Sequence, residues 1–187
     1  MLDINLKSFP NMASERLFLR AINKDDKKEV FSLRSDPGVM KYISRPLAKN
    51  IEEAEIFIKK ITKGIKENQL LYWGITLKIE DRLIGTICLW NISRENHRAE
   101  LGYELLPQYQ GQGLMQEALS KVVSFAFKTL KFHSLEANVN PQNTKSIRLL
   151  EKNDFVREAY FKEDVFFNGR YLDSTIYSLI NPSNQVS

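Results

Sequence analysis

The chain has 187 residues, 43% of them hydrophobic, which suits one domain with a sizeable core and needs neither disulfides nor metals to hold it. Lys and Arg number 27 against 23 for Asp and Glu, and the formal charge of +4 is spread along the chain, not gathered in a basic tail. That balance favours an anionic partner such as a phosphorylated cofactor and argues against a nucleic-acid binder. The single cysteine, Cys88, lies in the apolar run 83–90, so no internal disulfide is possible and it reads as a small buried side chain. Residues 1–10 carry Asp3 and no extended apolar segment, matching neither a signal peptide nor a membrane span, so the expected location is cytoplasmic.

In chain order, residues 15–22 read as a first strand, and Asn23 or Lys24 opens a helix with Asp25 and Asp26 in its first turn that must stop before Pro37. A second helix follows Asn50, where Ile51, Ala54, Phe57, Ile58, Ile61 and Ile65 recur at helical spacing. Residues 71–78 and 82–90 are rich in β-branched and aromatic side chains and read as two strands joined by a polar turn around Glu80 and Asp81. Residues 99–106 form another strand; a glycine-bearing turn then leads into a long amphipathic helix marked by Leu114, Ala118, Leu119, Val122, Phe125 and Ala126. A short strand at 135–139, a helix from about 143 to 152 and a hairpin turning at Asn168-Gly169 complete the order β-α-α-β-β-β-α-β-α-β-β. No repeat, low-complexity tract or linker interrupts residues 14–181, and the polar 181–185 segment reads as frayed.

The strand–turn–helix around Gln108-Tyr109-Gln110-Gly111-Gln112-Gly113 is the segment with chemical meaning. At a helix start, unpaired backbone N–H groups and the positive end of the helix dipole can hold phosphate oxygens, and glycines let the backbone come close to them. The segment is neither Gly-x-Gly-x-x-Gly nor the Gly-Lys-Ser/Thr of a P-loop, which leaves a pyrophosphate of another kind, or a plain conformational turn.

This segment resembles the Gln/Arg-x-x-Gly-x-Gly/Ala signature of the GNAT superfamily of N-acetyltransferases. Within it the chain looks most like the branch of the ribosomal-protein alanine N-acetyltransferases. The matching stretches are Ser14-Glu15-Arg16-Leu17-x-Leu19-Arg20, Ala99-Glu100-Leu101-Gly102-Tyr103-Glu104-Leu105, Gln116-Glu117-Ala118-Leu119, Asn143-x-x-Ser146, Leu149-Leu150-Glu151-Lys152 and Asn168-Gly169-x-x-x-Asp173. The resemblance spans about residues 14–180 and implies a single mixed α/β domain, α+β in layout, with acetyl-CoA bound where two parallel strands, 99–106 and 135–139, splay apart. It implies that backbone at Tyr103, Leu105 and Leu106 contacts pantetheine. It further implies that Gln108, Tyr109, Gln110, Gly111, Gln112, Gly113 and Leu114 cradle the pyrophosphate, and that Asn143 bonds the pantetheine arm.

Direct transfer needs an unprotonated amine, because an ammonium near pKa ~10 has no lone pair, and a leaving thiolate that is stabilised or protonated. Glu100, Gly102 and Glu104 share one face of an ideal strand, so either carboxylate could act as base, directly or through water. Glu100 is favoured because it lies farther from the phosphate turn and matches the family's Ala-Glu-φ-Gly-Tyr stretch, φ being apolar. Ser146, three residues after Asn143, is the candidate acid; Tyr103 and water are the alternatives. The tyrosine that many relatives carry seven residues after the asparagine is Leu150 here. Asn153-Asp154 stands where a glycine usually precedes the phenylalanine, and both types tolerate the left-handed conformation of a helix end.

His97 and His133 with one cysteine make no convincing zinc site, and no Gly-x-Ser-x-Gly elbow is present, so neither a metal nor a hydrolase triad is expected. Trp73, Trp90, Phe125, Phe127 and Phe155 read as core. The expected activity is acetyl transfer to a primary amine, foremost a protein N-terminal α-amine. A polyamine, amino acid or antibiotic acceptor, or a non-catalytic acetyl-CoA sensor, are the alternatives. Residues 37–47 and 160–167 are the expected acceptor loops, no nucleic-acid or membrane partner is expected, and the resemblance allows a homodimer.

Overall fold

The computed structural model describes residues 8–184. Strands β1 (Met12–Ala13) and β2 (Leu17–Ala21) lead into a 3-10 turn at Lys24–Asp26 and helix α1 (Lys27–Ser35). Asn23 and Asp26 cap that start reciprocally: the Asn23 side chain accepts from Asp25 N–H, and the Asp26 carboxylate from Asn23 N–H, each at 2.8 Å. The short α2 (Pro37–Met40) is capped by Asp36, and α3 (Ile51–Lys66) by Asn50. Strands β3 (Leu71–Leu77), β4 (Glu80–Ser93) and β5 (Arg98–Leu105) follow, then α4 (Leu114–Lys128), β6 (Ser134–Val139), α5 (Thr144–Glu151), β7 (Val156–Phe167) and β8 (Arg170–Ile180).

The eight strands form one mixed sheet in the order β1-β2-β3-β4-β5-β6-β8-β7. Among the described residues its only parallel neighbours are β5 and β6, in register for three pairs, Arg98↔Ser134, Ala99↔Leu135 and Glu100↔Glu136. Side chains alternate across the sheet and divide the core in two. Leu89, Leu101, Leu105, Leu135 and Ala137 pack with α4 and with Leu150 of α5. On the other face Tyr72 and Leu83 pack with Val30 and Leu33 of α1 and with Ala54, Ile58 and Ile61 of α3.

The expected elements are present, with five differences. β1 and α2 were not foreseen, since two residues show no alternation and four no helical period. The β3–β4 turn is Lys78-Ile79, so Glu80 and Asp81 already belong to β4. Asn143 caps α5 instead of opening it. Trp90 is 42% exposed and not core, whereas Trp73 is wholly buried. The segment after β8 is not frayed at its start: Asn181 is buried and donates to Phe132 C=O at 3.1 Å, and residues 182–184 form a 3-10 turn. Residue 185 lies outside the described residues.

Candidate active site

The turn from β5 to α4 passes through a 3-10 segment, Pro107–Tyr109, and then two left-handed residues, Gly111 (φ 77°) and Gly113 (φ 75°). Gly113 is the N-cap of α4, with no side-chain cap, so the first-turn N–H groups face outward at the positive helix end. Nothing lies within 4 Å of where a Gly111 side chain would start. Arg16 braces the turn from β2's approach: its Nη1 donates to Gln112 C=O at 3.0 Å, while its Nε and backbone N–H both donate to Glu117 at 2.7 Å. Gln112 donates to Gln108 C=O at 2.8 Å, and Gln110 to Leu105 C=O at 2.9 Å. The Leu106 N–H is bonded to Ile84 C=O. Gln108 and residues 110–113 are exposed, Tyr109 is half-buried and Leu114 is buried. This is a backbone cradle suited to a pyrophosphate.

β5 and β6 pair only as far as Glu100, so on its β6 side the backbone of Leu101, Gly102, Tyr103 and Glu104 makes no ladder bond. Glu100 therefore stands at the vertex of the splay. A register shift in β4 between Trp90 and Ser93, with Asn91 at φ 46°, turns the Asn91 amide onto the Glu100 carboxylate at 2.9 Å. Burial pushes the Glu100 carboxyl above its ordinary range; the Asn91 bond opposes this and the nearby Glu136 charge adds to it. Glu136 is itself paired with Arg98.

Glu104 lies on the same face two registers along, opposite Thr86 as Glu100 is opposite Trp90. Its carboxylate is 3.8 Å from Arg45 Nη1, and its side chain is 9% exposed. Burial pushes its pKa up, and Arg45 and Arg34 pull it down. Arg34 lies with its guanidinium 4.0 Å above the Phe57 ring. Burial and the Arg45 charge lower its pKa. Cys88 is partly accessible between the two glutamates' registers, and burial with the Glu104 charge pushes its thiol up to about 12, which suits an inert side chain and not a nucleophile.

The opposite face carries the candidate acid. The Tyr103 and Ser146 hydroxyls are 2.5 Å apart, and burial pushes the Tyr103 phenol up to about 12 despite the Ser146 bond. Asn143 Oδ1 accepts from Ser146 N–H at 3.2 Å, so its Nδ2 is the group left to meet a pantetheine carbonyl. Leu150 is wholly buried. Asp154 has φ 63°, the left-handed helix end expected of it, and Asn153 accepts from Gln116 and Ser120 at 2.9 Å, tying α5's end to α4.

The structure thus brings Glu100 and Glu104 to the α1–α3 face and Tyr103, Ser146 and Asn143 to the other, with the splay between. Sequence reasoning missed Asn91, Arg34, Arg45 and the exposed indole of Trp90. Only Arg45 lay in an expected acceptor loop; Asn91 is aimed by a bulge that has no local sequence signal. Among the described residues no three His, Cys, Asp or Glu side chains gather as metal ligands.

A glycine-turned helix start with an open surface, beside a splayed parallel pair with a carboxylate at the vertex, is an arrangement suited to an acyl-CoA-type transferase. Residues 16–156 match the acetyltransferase (GNAT) domain. The chain is 33% identical over 174 residues to the uncharacterized N-acetyltransferase YoaA of Bacillus subtilis, covering 93% of this chain and 98% of that protein. It is 31% identical over 118 residues to the Escherichia coli [ribosomal protein uS5]-alanine N-acetyltransferase, covering 63% and 61%. Among solved structures it is similar to a GNAT acetyltransferase from Bacillus anthracis (TM-score 0.83, 28% identity, 92% and 99% covered). It is also similar to the Vibrio cholerae spermidine N-acetyltransferase in complex with CoA and spermine (TM-score 0.79, 25% identity, 89% and 96% covered). The chain belongs to the GNAT family of acetyltransferases. It is an N-acetyltransferase whose acyl donor is acetyl-CoA, and the cradle and open β5 edge fit that donor.

Proposed function

We propose that this enzyme acetylates a protein N-terminal α-amine, of the ribosomal-protein type, in the cytoplasm, by direct attack. The observation that carries the mechanism is Glu100 at the splay vertex, partly desolvated and held by Asn91. Ionised, Glu100 takes a proton from the acceptor ammonium, directly or through water. The amine lone pair then adds to the thioester carbonyl carbon, the C–S bond breaks, and the thiolate receives a proton from the Ser146–Tyr103 pair on the opposite face; the nitrogen sheds its second proton to solvent as the amide forms, and solvent returns one to the hydroxyl pair. Amine and leaving group are thereby served from opposite sides of the sheet. The backbone N–H groups of residues 111–114 hold the pyrophosphate, those of Tyr109 and Gln110 being spent on Leu106 and Pro107 C=O within the 3-10 turn, and Asn143 holds the pantetheine arm.

The protein acceptor is supported by the 31% identity to the uS5-alanine enzyme. A small-molecule amine is the second reading, favoured by the greater length over which the chain matches spermidine N(1)-acetyltransferase of Vibrio cholerae, 86% of this chain at 26% identity. Thiol release from acetyl-CoA, followed with peptides bearing free N-termini and with spermidine, separates the two. Release confined to peptides is expected; release confined to spermidine overturns the protein-acceptor reading.

A further inference from the structure

The acceptor face holds a charge arrangement that the transfer chemistry does not use. Arg34 Nη1 is buried and has no hydrogen-bond partner among the described residues. A buried guanidinium N–H left unpaired is costly unless a ligand completes it. The ring of Phe57 fixes the guanidinium from one side. Arg45, from the loop after α2, lies close enough to depress Arg34's pKa, and Arg45 spends its own charge on Glu104 at 3.8 Å. Glu104 is the larger of the carboxylates that attract Arg34 and is shared with Arg45; Glu53 attracts it less, and neither is hydrogen-bonded to Nη1. Arg34 Nη1 is therefore left as a buried, unpaired cationic donor on the α1–α3 face.

We propose that Arg34, supported by Arg45, receives an anionic group of the acceptor, so that the preferred acceptor carries a carboxylate some distance from its amine. This rests on the reading of the α1–α3 face as the acceptor side. Glu104, which marks the arginine pair, is four residues along β5 from Glu100, about 13 Å at ~3.3 Å per strand residue. For a peptide entering amine first toward Glu100, that span corresponds to an acidic side chain at about the third residue. A polyamine would instead bring a second ammonium against two guanidinium groups, a like-charge contact that selects against it.

The test measures kcat/KM with acetyl-CoA and N-terminal alanine peptides identical except for Glu, Gln or Lys at positions two and three. Spermidine is run alongside, as are 6-aminohexanoate and its amide. The wild-type enzyme is expected to prefer Glu over Gln peptides by about tenfold or more, the scale of one charge-assisted hydrogen bond, and Lys peptides are expected to be worst. In Arg34→Gln the Glu-to-Gln ratio is expected to fall to within threefold of one, while Arg34→Lys retains part of it. Acetyl-CoA binding serves as the check on folding. Equal rates for Glu and Gln peptides with the wild-type enzyme overturn the proposal without recourse to any variant, as does a preference that survives Arg34→Gln. If no peptide reacts but 6-aminohexanoate outruns its amide in an Arg34-dependent way, the anion site stands and the protein-acceptor reading falls.

Discussion

The Tyr103 and Ser146 hydroxyls lie 2.5 Å apart and join β5 to α5 on the face opposite Glu100. A pair so close acts as one unit, so its members should not contribute independently. Under the proposed role, Tyr103→Phe and Ser146→Ala each lower kcat by about 10- to 100-fold. The double variant is expected to be little worse than the more damaged single one. Because burial holds the Tyr103 phenol near 12, it remains protonated across the working range, and no loss of acid should appear in the pH–rate profile below about pH 10. Single variants that keep kcat within twofold would assign the proton to water.

Glu100 sets the opposite limb. As the proposed base it acts ionised, and burial raises its pKa, so kcat/KM is expected to rise with pH through that raised value and then level off. Asn91 stabilises the ionised form, so Asn91→Ala raises the pKa further and moves the limb to higher pH. Glu100→Gln removes the limb and about 100-fold or more of the rate. The same shift fixes a stability sign. A carboxyl with a folded pKa above its unfolded value binds more protons in the native state, so its contribution to stability falls as pH rises past the unfolded value. Glu100→Gln is therefore expected to melt higher than wild type at neutral pH and to lose that advantage near pH ~4, in paired thermal melts.

Most elements were legible in the sequence because caps and periods are local. Asn50 before the Ile51-Ala54-Ile58-Ile61 stripe, and Asn168-Gly169 between two strands, each announce themselves within a few residues. The face of β5 that carries Glu100 and Glu104, and the place of the Gly111–Gly113 turn, were legible for the same reason. What escaped depends on contacts distant in sequence. Trp90 alternates like a core residue, yet it lands on the open face beside the splay, where no helix covers it. Arg34 sits on an ordinary helix, and only folding brings it to Arg45 and Glu104. The Tyr103–Ser146 bond, 43 residues apart in the chain, becomes visible once α5 is docked.

The proposed phosphate cradle depends on backbone conformation at Gly113. At φ 75° a side chain is strained whatever the space around it, by about 1–2 kcal/mol, and Arg16 Nη2 already lies 3.5 Å from where that side chain would begin. Gly113→Ala is expected to weaken acetyl-CoA binding about tenfold and to lower the melting temperature by a few degrees. Arg16→Ala, which frees Gln112 and Glu117 without altering any φ preference, is expected to weaken binding less. Equal binding by Gly113→Ala and wild type, measured by calorimetry, would remove this turn from the donor site.

Leu150 occupies the position at which many relatives carry a tyrosine, but it is wholly buried against the sheet and α4, and the hydroxyls on this face come from Tyr103 and Ser146. Restoring the common residue should therefore fail to restore its role. Leu150→Tyr adds volume to a filled core, at a cost of about 1–3 kcal/mol, and buries a phenol that needs a partner. The expected result is a lower melting temperature with kcat unchanged or reduced, because the new hydroxyl points into packed side chains and not toward the splay. Introduced into Ser146→Ala, it should not rescue the lost rate. A rescue there, with the melting temperature preserved, would mean that α5 can turn to present position 150 to the thioester, and that the Tyr103–Ser146 pair is one of two ways this scaffold can protonate the departing thiolate.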